Sequence, residues 1–91
     1  MRVIYTEEAL ENLDGILAHI ASNYPTVYEA FQHRLQSVVK RISEWPDSAQ
    51  EVAERPGVRV VPLIRYPYKV FYQNTGQAIE ILYIHHAARD A

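Results

Sequence analysis

Apolar residues recur at helical spacing in the first half of this chain and alternate with other residues in the second half. Ala9, Leu10, Leu13, Ile16, Leu17 and Ile20 fall three and four positions apart, which places them on one side of a helix. Thr6 stands in front as a capping residue, and Glu7 and Glu8 lie where the helix dipole is positive. Gly15 weakens the middle of that helix by roughly 1 kcal/mol relative to alanine, so it is expected to mark close packing. The helix breaks at "SNYP". The next segment, "TVYE" at 26–29, reads as a capping box in which Thr26 caps and Glu29 reaches back. Phe31, Leu35, Val38, Val39, Ile42 and Trp45 then form a second apolar stripe that Pro46 terminates. A short turn between two such helices makes an antiparallel hairpin.

The residues before and after the helices follow a different rule. "RVIY" at 2–5 is rich in β-formers and predicts a first strand. Residues 46–57 are polar, contain two prolines and a glycine, and predict a surface loop. The period then changes to two, and residues 58–64, 68–73 and 78–85 predict three strands. Pro67 lies in the first turn between them and "NTG" at 74–76 forms the second. Pro62 lacks an N–H to give to a ladder, which requires an edge or a bulge. The predicted order is β-α-α-β-β-β: an α+β fold with a two-helix hairpin packed on one face of a small antiparallel sheet, as one domain over residues 1–91.

Alternation also sorts the sheet into faces. Tyr68, Val70 and Tyr72, with Ile79, Ile81 and Tyr83, are the more continuously apolar set and are expected under the helices. The opposite parity carries Lys69, Phe71 and Gln73, then Glu80, Leu82, Ile84 and His86, and Arg59, Val61, Leu63 and Arg65 are placed with them. That reverse face would mix apolar Phe71, Leu82 and Ile84 with cationic Arg59, Arg65 and Lys69, as a surface made for a partner does.

Charge sharpens this picture. The chain has a net charge of −2, but residues 1–54 carry four basic and nine acidic side chains, whereas residues 55–91 carry five basic and two acidic ones. The basic half suits a polar or anionic partner. The whole molecule lacks the strong positive field of a general nucleic-acid binder, so direct sequence-specific DNA binding is not expected. With 0 cysteines there are no disulfides, thiolate metal sites or cysteine nucleophiles. No stretch is apolar enough to span a bilayer, and the start lacks the features of a secretion signal, so the expected location is cytoplasmic.

Candidate chemistry is sparse. His85 and His86 are adjacent at a strand end, and Arg59, Arg65 or Arg89 can stabilise a developing phosphate anion, a combination that suits RNA cleavage. Adjacent strand residues point to opposite faces, so only one histidine can belong to a given site. His19, His33, His85 and His86 have no metal-ligand spacing, and no cofactor motif is present. Tyr66, Tyr68, Tyr72 and Tyr83 can stack on bases, but a small core needs their area.

The segment "GVRVVPLIRYPYKVFYQNTGQAIEILYIHHAARD" resembles the C-terminal half of RelE/ParE-superfamily toxins. The resemblance is carried by Arg59 opening a strand, by Pro67, Tyr68, Lys69 and Tyr72 around "PYKVFY", and by "HHAAR" from His85 to Arg89. Ala9 and Leu13 in the first helix and Trp45–Pro46 after the second also agree. The resemblance implies a toxin of a type II toxin–antitoxin module in a bacterium or on its plasmid, a role that includes plasmid stabilisation, with a cognate antitoxin as partner. Target- and antitoxin-binding residues would be Arg59, Arg65, Lys69, Phe71, Leu82, Ile84, His86 and Arg89. RelE-like members cleave mRNA on the ribosome. That reading would use Arg59, Arg65 and His86, with Glu51 or Glu54 as base. ParE-like members inhibit DNA gyrase and are not nucleases. The negative net charge, the few lysines and the "ARDA" ending without an aromatic favour the ParE-like branch. A third alternative is an interaction domain without toxic activity.

Overall fold

The computed structural model describes residues 1–90, and the side chains of residues 1–88. The chain runs through β1 (Val3–Tyr5), α1 (Glu7–Asn23), a 3-10 turn (Pro25–Val27), α2 (Tyr28–Glu44), β2 (Gln50–Glu51), β3 (Val58–Pro62), β4 (Tyr68–Asn74), β5 (Ile79–His86) and a last 3-10 turn (Ala87–Asp90). The strands form one five-stranded sheet in the order β1-β5-β4-β3-β2. β2, β3, β4 and β5 pair antiparallel, whereas β1 runs parallel to β5. The sheet is therefore mixed rather than antiparallel throughout. A parallel pair needs a long crossover, and the chain between β1 and β5 supplies one that includes the helical hairpin.

Thr6 caps α1 as its sequence suggests: its Oγ1 accepts from the Ala9 amide at 3.1 Å and donates to the Leu82 carbonyl at 2.7 Å. Thr26 does not cap α2. Pro25 opens a 3-10 turn that absorbs Thr26, so α2 starts at Tyr28 without a side-chain cap. Gly15 is not a point of close packing either, since a Cβ there would meet nothing within 4 Å.

Both helices lie on one face of the sheet. Ala9, Ile16 and Ile20 of α1 and Phe31, Leu35, Val38 and Ile42 of α2 pack against Val70, Tyr72, Ile79, Ile81 and Ile84. Phe31 anchors this layer, meeting the rings of Tyr66 at 5.2 Å and Tyr68 at 5.8 Å edge-on.

An irregularity in β5 overturns part of the predicted face assignment. Phe71 pairs with Tyr83 and Tyr72 with Ile81, so Leu82 has no residue opposite it. One extra residue reverses the parity of everything after it. Ile84 therefore turns into the core opposite Val70, His86 joins the helix side opposite Tyr68, and Tyr83 moves to the reverse face opposite Phe71. α1 holds the bulge on both sides of Leu82, through Thr6 on the Leu82 carbonyl and through Asn12 Oδ1, which accepts from the Ile84 amide at 3.0 Å.

β3 also sits opposite to expectation. Arg59 pairs with Tyr72 and Val61 with Val70, which puts both on the helix side, and Leu63 is buried in the core. The register follows from the turn at 63–67, where the Leu63 amide donates to the Tyr68 carbonyl at 3.0 Å and the Tyr66 amide to the Leu63 carbonyl at 2.9 Å. Arg65 lies within that turn at φ 80, a left-handed backbone that glycine adopts without strain and that costs another residue of order 1 kcal/mol.

Candidate functional site

A broad groove of about 1120 Å³ runs between the C-terminal half of α2 and β3. Its lining includes Val38 and Trp45 from the helix side and Val60, Pro62 and Ile64 from β3 and the turn after it. Trp45 is 68% exposed and Ile64 58% exposed, although both are large apolar side chains. Stopping α2 at Glu44 leaves Trp45 on the exit turn, where its amide still donates to the Arg41 carbonyl at 2.8 Å. The outer edge of β3 is open beside the groove: β2 pairs only with Arg59 and Val60, so Val61 and Pro62 have no strand partner on that side among the described residues. Pro62 thus sits at an edge that asks nothing of its missing N–H. Arg34, Lys40, Arg41 and Lys69 line the groove against one carboxylate, Glu44.

The reverse face of the sheet holds an aromatic ladder. Phe71 and Tyr83 lie 4.7 Å apart, and Tyr83 stacks on His85 at 4.4 Å. The Arg55 guanidinium covers Tyr83 at 5.4 Å from the ring centroid and hydrogen-bonds the Tyr83 hydroxyl. His85 Nε2 lies 3.7 Å from Glu8 Oε2. Under this cover Phe71 is only 8% exposed, so it is a packed residue and not an open docking position.

The other sequence candidates disperse. Arg59 clamps the loop after α2: its guanidinium donates to the Ala49 carbonyl at 2.7 Å and the Asp47 carbonyl at 3.3 Å, and pairs with Asp47 Oδ1 at 3.6 Å. Arg65 is exposed in the β3–β4 turn, Lys69 is half-buried on β4, Leu82 is half-buried in the bulge and Ile84 is buried. His86 meets Tyr68 edge-on at 5.5 Å, and its Nδ1 accepts from the Ala88 amide at 3.2 Å. The Arg89 side chain lies outside the described residues.

These positions do not assemble the RNA-cleaving set. Arg59 and His86 stand on opposite sides of β4, opposite Tyr72 and Tyr68, which separates them by about 13 Å along the strand before the two strand spacings are added. Glu51 is engaged with the Gly57 amide at 3.2 Å and Glu54 is exposed in the loop. Among the described residues no three acidic, histidine or cysteine side chains come together as a metal site, and no helix is long and apolar enough to cross a membrane.

Sequence reading missed β2, the bulge and the Arg55–Tyr83 cover. Trp45 was the available signal for the groove: it ends an apolar stripe directly before a proline, where a helix stops and its last apolar residue is left outside the core.

Comparison with known proteins gives this geometry a family. Residues 3–91 match the family described as ParE toxin of type II toxin-antitoxin system, parDE. No curated protein matches the sequence. A solved chain from the chromosomal ParDE toxin–antitoxin system of P. aeruginosa is similar over 94% of this chain and 95% of its own length, with a TM-score of 0.68 and 27% identity. The helical hairpin on a mixed sheet and the match over nearly the whole length together place this chain in the ParE toxin family of type II toxin–antitoxin systems.

Proposed function

We propose that this chain is a cytoplasmic toxin, working as one domain, that inhibits DNA gyrase by binding it and is silenced by a cognate antitoxin seated in the α2–β3 groove. The observation that carries the antitoxin part is the groove itself. Exposed Trp45 and Ile64, an unpaired strand edge and four cations against one carboxylate fit a partner segment that is acidic, carries apolar anchors and runs extended along β3. The gyrase part rests on membership of the ParE family and on the dispersal of Arg59, Arg65 and His86, which leaves the nuclease alternative without an assembled site among the described residues.

Expression of the chain alone is expected to arrest growth with filamentation and a DNA-damage response. Co-expression of the adjacent antitoxin is expected to restore growth. Purified chain should inhibit supercoiling by gyrase and trap gyrase on DNA, and His86→Gln should act like the wild type. Harmless expression would leave only an interaction domain. Ribosome-dependent mRNA cuts that His86→Gln abolishes would replace gyrase with the nuclease reading.

A further inference from the structure

We infer that the hollow between α2 and the β3–β4 turn is a binding pocket for a phosphate group. It has a volume of about 600 Å³ and is lined by Glu29, His33, Arg34 and Ser37 from α2 and by Arg65 and Tyr66 from the turn. His33, Arg34 and Ser37 recur at three and four positions, so one side of α2 presents them together. Neither the Arg34 nor the Arg65 side chain has a hydrogen bond or ion pair among the described residues. Two arginines that line one hollow without an ion pair to its single carboxylate, Glu29, are an incomplete arrangement. Their planar forks match tetrahedral phosphate oxygens, and the Ser37 and Tyr66 hydroxyls and the His33 ring add further donors. A carboxylate has only two oxygens and would leave more of these donors unused. Glu29 in the same lining opposes any anion, and the two arginines outnumber it.

The backbone supplies an independent observation. Arg65 occupies a left-handed position, φ 80, that glycine fills with less strain. The turn around it is held rigidly: Tyr66 packs on Phe31, Leu63 is buried, and the Pro67 carbonyl accepts from the Ala87 amide at 2.7 Å. The rigid turn keeps the strained Arg65 backbone beside the hollow, so its guanidinium is within reach of a ligand there. Arg34 and Ser37 also line the α2–β3 groove, whereas His33, Arg65 and Tyr66 belong to this pocket alone, so Arg65 separates it from the antitoxin reading.

Nuclear magnetic resonance titration with inorganic phosphate, against chloride and acetate at equal ionic strength, tests the assignment. Saturable shifts are expected at His33, Arg34, Ser37, Arg65 and Tyr66 with phosphate, in the low-millimolar range. Arg65→Gly should weaken phosphate binding by about tenfold or more while leaving the melting temperature at or above that of the wild type. Arg2→Ala, remote from the pocket, should bind as the wild type does. Titration with a 5′-mononucleotide and a short single-stranded oligonucleotide then names the source: tighter binding of the oligonucleotide assigns a nucleic-acid phosphodiester, and equal binding of all assigns free phosphate. Shifts that stay linear with concentration, equal saturation by acetate, or unchanged affinity in Arg65→Gly would overturn it.

Discussion

Tyr72 is completely buried and its hydroxyl donates to the Pro46 carbonyl at 2.6 Å, which fastens the loop after α2 to the middle of the sheet. Burial raises the Tyr72 phenol above its usual 10.0, against a lowering by the nearby Arg59 charge. Burial raises Tyr5 in the same direction. Below pH 10 folded and unfolded chains both keep these protons. Above it the unfolded chain loses them first, so stability should fall as pH rises from about 10 through the folded values. Urea unfolding between pH 8 and 11 should show that decline, and Tyr72→Phe should flatten it while removing about 1 kcal/mol at neutral pH. Gly15 behaves in the opposite sense. It is an exposed helical glycine with open space at its Cβ position, so Gly15→Ala should raise the urea midpoint by an amount worth about 0.5–1 kcal/mol.

The decisive element is β5. Its sequence "IEILYIHH" is apolar at Ile79, Ile81, Leu82, Tyr83 and Ile84, so alternation alone does not reveal where one residue is extra. α1 makes the choice by offering Thr6 to the Leu82 carbonyl and Asn12 to the Ile84 amide. Asn12→Ala would leave the part-buried Ile84 amide without its acceptor and should cost about 1–3 kcal/mol. Asn12→Asp, which keeps an acceptor at the same place, should recover most of that loss. Hydrogen exchange at the Ile84 amide reads the effect directly: protection should drop selectively in the alanine variant. The helices were legible because their apolar stripes are long and regular. β2 was not, since two residues, Gln50 and Glu51, carry no periodicity and pair only because β3 passes beside them.

At the scale of the whole molecule, the groove joins features that lie far apart in the chain. Trp45 is mostly exposed, so Trp45→Ala should change stability by no more than about 0.5 kcal/mol. If the groove seats the antitoxin, the same substitution should weaken that complex by about 2 kcal/mol, roughly thirtyfold in affinity, as truncating a buried aromatic anchor does. Calorimetry of the purified pair separates the two effects, and an unchanged affinity would move the antitoxin to another surface. The candidate site was only partly readable for the same reason. Arg59 is spent on the 47–49 carbonyls and Ile84 on the core, whereas Arg65 stays at the surface, beside two α2 residues, His33 and Arg34, that no local pattern linked to it.

The sequence by itself determined the two helices, the three long strands, their order and the family resemblance, because each depends on periodicity, capping or turn residues within a short window. Tertiary structure alone decided the parallel seat of β1, the parity of β5 after Leu82, the side of the sheet that receives Arg59, and the meeting of α2 with the Arg65 turn. Those outcomes depend on which backbone groups of distant segments find partners, and a side chain's neighbours across the sheet are set only when the strands lock their register.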